Sequence, residues 1–268
     1  MLCDFPGHSV TNIVATTQGD QLVYSIGDTL IQSRDFRNPR GEHWEIVGQR
    51  FTAVASSPVA RSIAIAECGD DPCNKGKMLF TLHCIQFDGT HSYHQMPECV
   101  SRISWSPDGE RIAVVSGGSG TVEIWNKSPF GRVATISRGV ERFSNIGLSW
   151  SESGKHLCVS GRQGFTIWET GGFTVYSNCR DESVYVSEVK LLNDSGVVAC
   201  EHDISGEYST RPQDAPGVRV STWDIRSKEG KRVKQQAITY RTARISASGQ
   251  RVCYAPLDRT CLHLVDVK

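Results

Sequence analysis

The stretch SRISWSPDGERIAVVSGGSGTVEIW, residues 101–125, alternates polar and apolar side chains over Arg102–Trp105 and breaks at Pro107-Asp108-Gly109. It resumes as an apolar, β-branched run from Arg111 to Val115, breaks again at the Gly-Gly-Ser-Gly of 117–120, and closes on Thr121–Trp125. Alternation of period two bounded by turn residues predicts strands, and here it predicts a three-stranded antiparallel meander with tight turns. Such a meander is too small to bury its own apolar face, so it needs neighbours of its own kind.

Those neighbours are in the chain. SNIGLSWSESGKHLCVSGRQGFTIW, 144–168, repeats the phrase, with Trp150, Ser151, Gly154 and Trp168 in the places of Trp105, Ser106, Gly109 and Trp125. Fainter copies run over 186–203 with 218–225, over 242–267, over 51–70 with 78–85, and over 7–33. The third strand recurs at intervals of roughly 40–55 residues, against about 40–45 expected for one propeller repeat. Each phrase therefore reads as one blade of a ring.

Composition places the chain among ordinary globular proteins: 268 residues, 38% hydrophobic and 22% charged, with no linker that would split it. The formal net charge of zero gives no general attraction for nucleic acid or anionic lipid, so nucleic acid is disfavoured as a partner. No apolar run reaches the ~20 residues that span a bilayer, and MLCDFPGHSV lacks the basic and apolar parts of a signal peptide. The expectation is a cytoplasmic protein without membrane association, its cysteines reduced. Most of the ten cysteines sit within strand runs, where a thiol packs as a small hydrophobe.

Gly7-His8 at the opening of the first unit, Ser106-Pro107-Asp108-Gly109 in a first turn, and Ile124-Trp125, Ile167-Trp168 and Trp223-Asp224 at the ends of third strands make the chain resemble the WD40 repeat family over nearly its whole length. The resemblance implies an all-β fold, a β-propeller of four-stranded antiparallel blades. Six degenerate repeats are counted, at about 7–47, 48–96, 97–140, 141–181, 182–236 and 237–268, with seven as the alternative. Leu2–Phe5 would supply the strand that closes the last blade. The buried His–Asp–Ser/Thr–Trp hydrogen-bond set of familiar WD40 blades is mostly missing: Gly-His occurs once, and the turns at 117–120 and 161–164 have no Asp. A second resemblance, carried by VTNIV, LVYSIGDTLI and GQRFTAVASSPVARSIAIAE, is to the large WD40 proteins of cilia and flagella. It implies a scaffold of the axoneme or microtubule cytoskeleton, with tubulin or axonemal proteins among its partners.

The search for chemistry is negative. The chain has no Gly-x-Ser-x-Gly elbow, no phosphate-binding Gly-x-x-x-x-Gly-Lys loop and no His-Glu-x-x-His, so neither catalytic nor cofactor residues are assigned and the chain reads as non-enzymatic. Cys68, Cys73, His83, Cys84, His91, His94 and Cys99 are metal-ligating types, and four residues separate Cys68 from Cys73, but the second closely spaced pair of a zinc site is missing, so no metal is expected. Partner binding is expected at the loops. The two longest insertions, 69–77 and 202–217, both fall between second and third strands, and the second offers Tyr208 and Arg211 as anchors. The basic stretch RSKEGKRVK, 226–234, adds Lys228, Lys231, Arg232 and Lys234 as contacts for an acidic partner protein. Together with Arg219, Arg241, Arg244 and Arg251 it makes the region to 251 cationic, and the alternative function is a ribonucleoprotein subunit that touches RNA there.

Overall fold

Strand runs bounded by Gly, Pro, Ser and Asp become hairpins throughout. The computed structural model describes residues 10–15, 21–26, 30–35, 44–48, 50–59, 61–86, 88–117, 119–136, 147–203, 218–238, 242–246, 248–255 and 263–267; among them every regular element is a strand. The chain divides into two compact units, Met1–Ser137 and Arg138–Lys268.

The first unit holds three four-stranded antiparallel sheets, each in simple chain order. They are β1 (Val10–Ala15) to β4 (Trp44–Val47), with β2 (Gln21–Ile26) and β3 (Leu30–Asp35) between; β5 (Phe51–Ser56), β6 (Ser62–Asp70), β7 (Met78–Gln86) and β8 (His91–Met96); and β9 (Val100–Trp105), β10 (Arg111–Ser116), β11 (Val122–Asn126) and β12 (Gly131–Ile136). The stretch read first is thus β9–β11. In the second and third of these sheets the second strand is buried on both faces, over Ser62–Ala66 and Ile112–Ser116, and reads accordingly as a largely apolar run. Ala64 and Ala66 of β6 face a core shared with Ile103, Trp105, Ile112 and Val114, whereas Ile63 and Ile65 face a second core with Phe51 and Ile46. Trp105 pins the two sheets together by donating its indole N–H to the Ala55 carbonyl at 3.0 Å.

In the second unit β13 (Leu148–Trp150), β14 (His156–Glu169), β15 (Thr174–Leu192), β16 (Gly196–Asp203), β17 (Val218–Asp224) and β18 (Lys231–Ile238) form one six-stranded sheet, followed by β19 (Thr242–Ile245), β20 (Arg251–Ala255) and β21 (His263–Asp266). The six-stranded sheet is two repeats run together. β14 turns back at Gln163 and Gly164, both at positive φ, so that the Thr170 amide reaches the Lys155 carbonyl. β15 pairs through Thr174–Arg180 with the end of β14 and through Val184–Leu192 with β16, serving as last strand of one repeat and first of the next. Its connection, Asp181-Glu182-Ser183, contains neither Gly nor Pro to break it; Asp181 accepts the Ser183 amide at 3.0 Å. Phe165, Ile167, Val184, Val186, Val197 and Trp223 fill the core between these repeats.

Two local devices recur. In the first turn, the amides of Ser106, Ser151 and Ser246 donate to the carbonyl five residues on, and their hydroxyls accept that residue's amide at 2.9–3.1 Å. The fourth residue is glycine at φ 69°, 72° and 70°, a left-handed position that glycine takes without a Cβ clash. At the end of the third strand, the amides of Lys127, Thr170, Ile225 and Val267 donate to the carbonyls of Glu110, Lys155, Ser195 and Gln250. These bonds carry the repeat through copies whose side chains have diverged, including the last, where Val265 stands in the tryptophan position.

Candidate functional site

Tyr208 and Arg211, with 204–217 of the second insertion, lie outside the described residues, as do Leu2–Phe5 and Arg241. The first insertion is an ordered turn: the Asp71 carboxylate accepts the Cys73 amide at 2.9 Å and the Asn74 side-chain amide at 2.8 Å. These bonds hold its carboxyl below the usual range.

Lys228 sits in the turn between β17 and β18, and Lys231, Arg232 and Lys234 lie on β18. The turn is fixed from both sides. Asp224 accepts the Arg226 amide at 3.0 Å and its guanidinium at 2.9 and 3.0 Å, interactions that hold the Asp224 carboxyl down to about 2. The carbonyl of Lys228 takes the Asn178 amide at 2.7 Å, and that of Ser227 the Ser177 hydroxyl at 2.9 Å, docking the turn on β15. The side chains of Lys228, Lys231 and Lys234 are exposed on this rigid backbone.

Arg232 is placed differently. Its guanidinium donates to Asp181 at 2.7 Å and to Glu201 at 3.0 Å, and lies 4.6 Å from the centre of the Trp223 ring. Glu201 is fully buried, and its other oxygen accepts the Trp223 indole N–H at 2.8 Å. Of the five cations in 226–234, Arg226 and Arg232 form ion pairs within the fold, and the side chains of the three lysines and of Glu229 are exposed. Arg244 likewise pairs with Glu188 at 3.7 Å and Arg251 with Asp266 at 3.1 Å. Sequence reasoning added these charges as one patch. The signal it missed was residue type, since planar, stacked and bidentate roles favour arginine over lysine.

The Arg–Glu–Trp set has a counterpart. In the sheet of β9–β12, buried Glu123 accepts the Trp125 indole at 3.2 Å and the Arg132 guanidinium at 2.7 Å. Each arginine faces its tryptophan across a register shift that inserts one extra residue in the outer strand: Val133 between the partners of Ile124 and Trp125, and Val233 between those of Thr222 and Trp223. Tyr176 is the extra residue opposite Ile167 and Trp168. Where familiar WD40 blades satisfy the indole with His, Asp and Ser, Trp125 and Trp223 donate to a buried carboxylate whose other oxygen accepts a guanidinium. Trp168 has neither; its buried N–H finds no partner.

In the sheet of β5–β8 the corresponding places hold other groups. Glu67 occupies the position of Glu201 and His91 that of Arg232, while Ile85 replaces the tryptophan. His83 fills the gap, its Nε2 3.2 Å from Glu67 Oε2 and its Nδ1 3.0 Å from His91 Nε2. The Cys-based zinc set does not assemble: Cys68 and Cys84 are buried, the latter's thiol pushed up to about 11 by burial, while Cys73 is exposed. Among the described residues no three His, Cys, Asp or Glu side chains converge as metal ligands. Ser153, His156 and Asp194 come together, but both Ser153 and His156 bond the same Asp194 oxygen, at 2.6 and 3.2 Å. A nucleophilic serine needs its hydroxyl on the imidazole instead.

No protein-family profile and no curated protein matches the chain. Solved structures do. One chain of the mitotic checkpoint complex crystal structure superposes with a TM-score of 0.73 at 14% identity, over 98% of this chain and 76% of that one. A chain of the hydrazine synthase of Kuenenia stuttgartiensis gives 0.66 at 13% identity, over 98% and 80%. At such identities the likeness is one of fold: the chain has a WD40-like β-propeller fold, built from degenerate repeats. One neighbour belongs to a multiprotein complex and the other is named for an enzyme, so the fold alone does not divide scaffolds from catalysts.

Proposed function

We propose that this chain is a non-enzymatic scaffold that joins other proteins, and that the β17–β18 hairpin binds an acidic segment of one of them. The observation that carries this reading is the hairpin itself, three exposed lysines on a backbone bolted to β15 and to Asp224. A rigid cationic edge binds without the ordering cost that a flexible basic tail would incur. The resemblance of the early repeats to cilia- and flagella-associated proteins gives the setting, cytoplasmic and attached to the axoneme or another microtubule array, where tubulin presents an acidic surface. The second insertion, with Tyr208 and Arg211, would add contacts beside the hairpin's own.

The test is detergent extraction of the tagged endogenous protein from a ciliated or flagellated host, comparing wild type with K228E/K231E/K234E. Retention of the wild type on the axoneme, lost in the triple variant and in moderate salt, supports the reading. Release of the wild type into the soluble fraction removes the ciliary setting, and co-purifying RNA with a steep salt dependence would favour the ribonucleoprotein alternative. Deleting 204–215 without loss of the same partners, with the far-UV circular dichroism unchanged, removes Tyr208 and Arg211 from the site.

A further inference from the structure

The geometry points to a divalent transition-metal site on the β7–β8 strand pair, formed by Nδ1 of His83 and Nε2 of His91 and oriented by Glu67. His83 pairs with Tyr93 and Ile85 with His91, so the two histidines are diagonal neighbours on one face of the sheet. Their facing nitrogens are 3.0 Å apart. Two imidazole nitrogens each about 2.0–2.1 Å from a single ion lie roughly 2.9 Å apart in a square-planar site and roughly 3.4 Å apart in a tetrahedral one, so the observed separation falls in the chelating range.

The tautomer is set by the carboxylate. Glu67 accepts the Nε2–H of His83 at 3.2 Å, which leaves Nδ1 as the unprotonated nitrogen on the side of His91. A carboxylate on the far nitrogen of a ligating histidine is the usual second partner of such ligands and raises their basicity. His91 is exposed and leaves the remaining coordination positions to water. Cys84, adjacent to His83 on β7, points to the opposite face and into the core, so the site is an imidazole site and not a thiolate one. Two nitrogens plus water bind Cu2+ most tightly among the common divalent ions, with Zn2+ weaker.

The experiment titrates Cu2+, and separately Zn2+, into the untagged full chain at pH 7.4 by calorimetry, with electron paramagnetic resonance of the copper form. One Cu2+ per chain with two coordinated nitrogens is expected. His91→Gln and His83→Gln should each weaken it at least about tenfold and Glu67→Gln roughly tenfold. His94→Gln, exposed on the same strand and packed at a tilt against Trp125, should leave it unchanged. No stoichiometric binding, or binding that His91→Gln leaves intact, overturns the site, and the 3.0 Å contact is then a shared proton alone. Loss in the histidine variants without any change in Glu67→Gln overturns the role given to Glu67. Circular dichroism of each variant separates loss of the site from loss of the fold.

Discussion

Replacing Arg232 with alanine should destabilise the protein far more than replacing any lysine beside it. The substitution strands Glu201, which is 0% exposed, and removes the stack on Trp223 together with the bond to Asp181. Breaking a buried pair from one side costs about 3–5 kcal/mol, because the remaining charge stays out of water. Two features place Arg232→Ala near the lower end. Its side chain is 26% exposed, so water can enter, and its Nε–H has no partner even in the intact protein. The expectation is about 3 kcal/mol, read from urea unfolding at pH 7, against at most about 0.5 kcal/mol for the exposed Lys231→Ala. Glu201→Gln with Arg232→Met removes both charges and should recover more than half of the loss. An Arg232→Ala cost within about 1 kcal/mol of Lys231→Ala, or a double variant no more stable than the single one, would refute the argument that a stranded buried carboxylate is the source.

The indoles give a paired comparison: Trp223→Phe takes a donor from buried Glu201, whereas Trp168→Phe removes an N–H that has no partner, so the first should cost at least about 1 kcal/mol more in the same assay. Gly164→Ala should cost about 2 kcal/mol or more, because φ is 109° and a Cβ there would run into the Cys179 carbonyl; a change under about 0.5 kcal/mol would mean that the turn relaxes freely. Burial lowers the His202 pKa below its ordinary 6.5, so between the folded and unfolded values the unfolded chain binds more protons. Its contribution is therefore complete above about pH 6.5 and falls as the pH drops through the folded value, and His202→Gln should flatten that slope of stability against pH.

What was legible in the sequence was what chain geometry demands locally. Ser-x-x-Gly marks the first turns at 106–109, 151–154 and 246–249, where a left-handed residue closes the turn, and Trp125, Trp168 and Trp223 mark where third strands end. The largely apolar runs announced strands buried on both faces. What remained hidden depends on pairings far apart in the chain. Arg232 finds Glu201 across 31 residues and Asp181 across 51, and its inward aim follows from one extra residue in the strand. Period-two reasoning cannot see that shift, because it appears only when two strands are laid side by side. The same limit kept Glu67 out of the cluster in which the sequence places His83 and His91, because it joins them only when β6 is laid beside β7 and β8.

The extra residues Val133 and Val233 have a consequence for how this protein meets copies of itself. An outer strand offers a free ladder of amides and carbonyls, and a straight one templates another strand in register. In β12 and β18 the insertion puts the ladder out of step halfway along, so an incoming strand can match one half or the other. The exposed valines, 48% and 67% accessible, stand at the break and not along a flat apolar edge. Deleting Val233 would straighten β18 and turn Arg232 away from Glu201 at one stroke, exchanging a soluble edge for an adhesive one. β4, β8 and β21 pair with their neighbours without any such shift and have neither lysine, arginine nor proline, so it is at these edges that unwanted strand addition between molecules would begin.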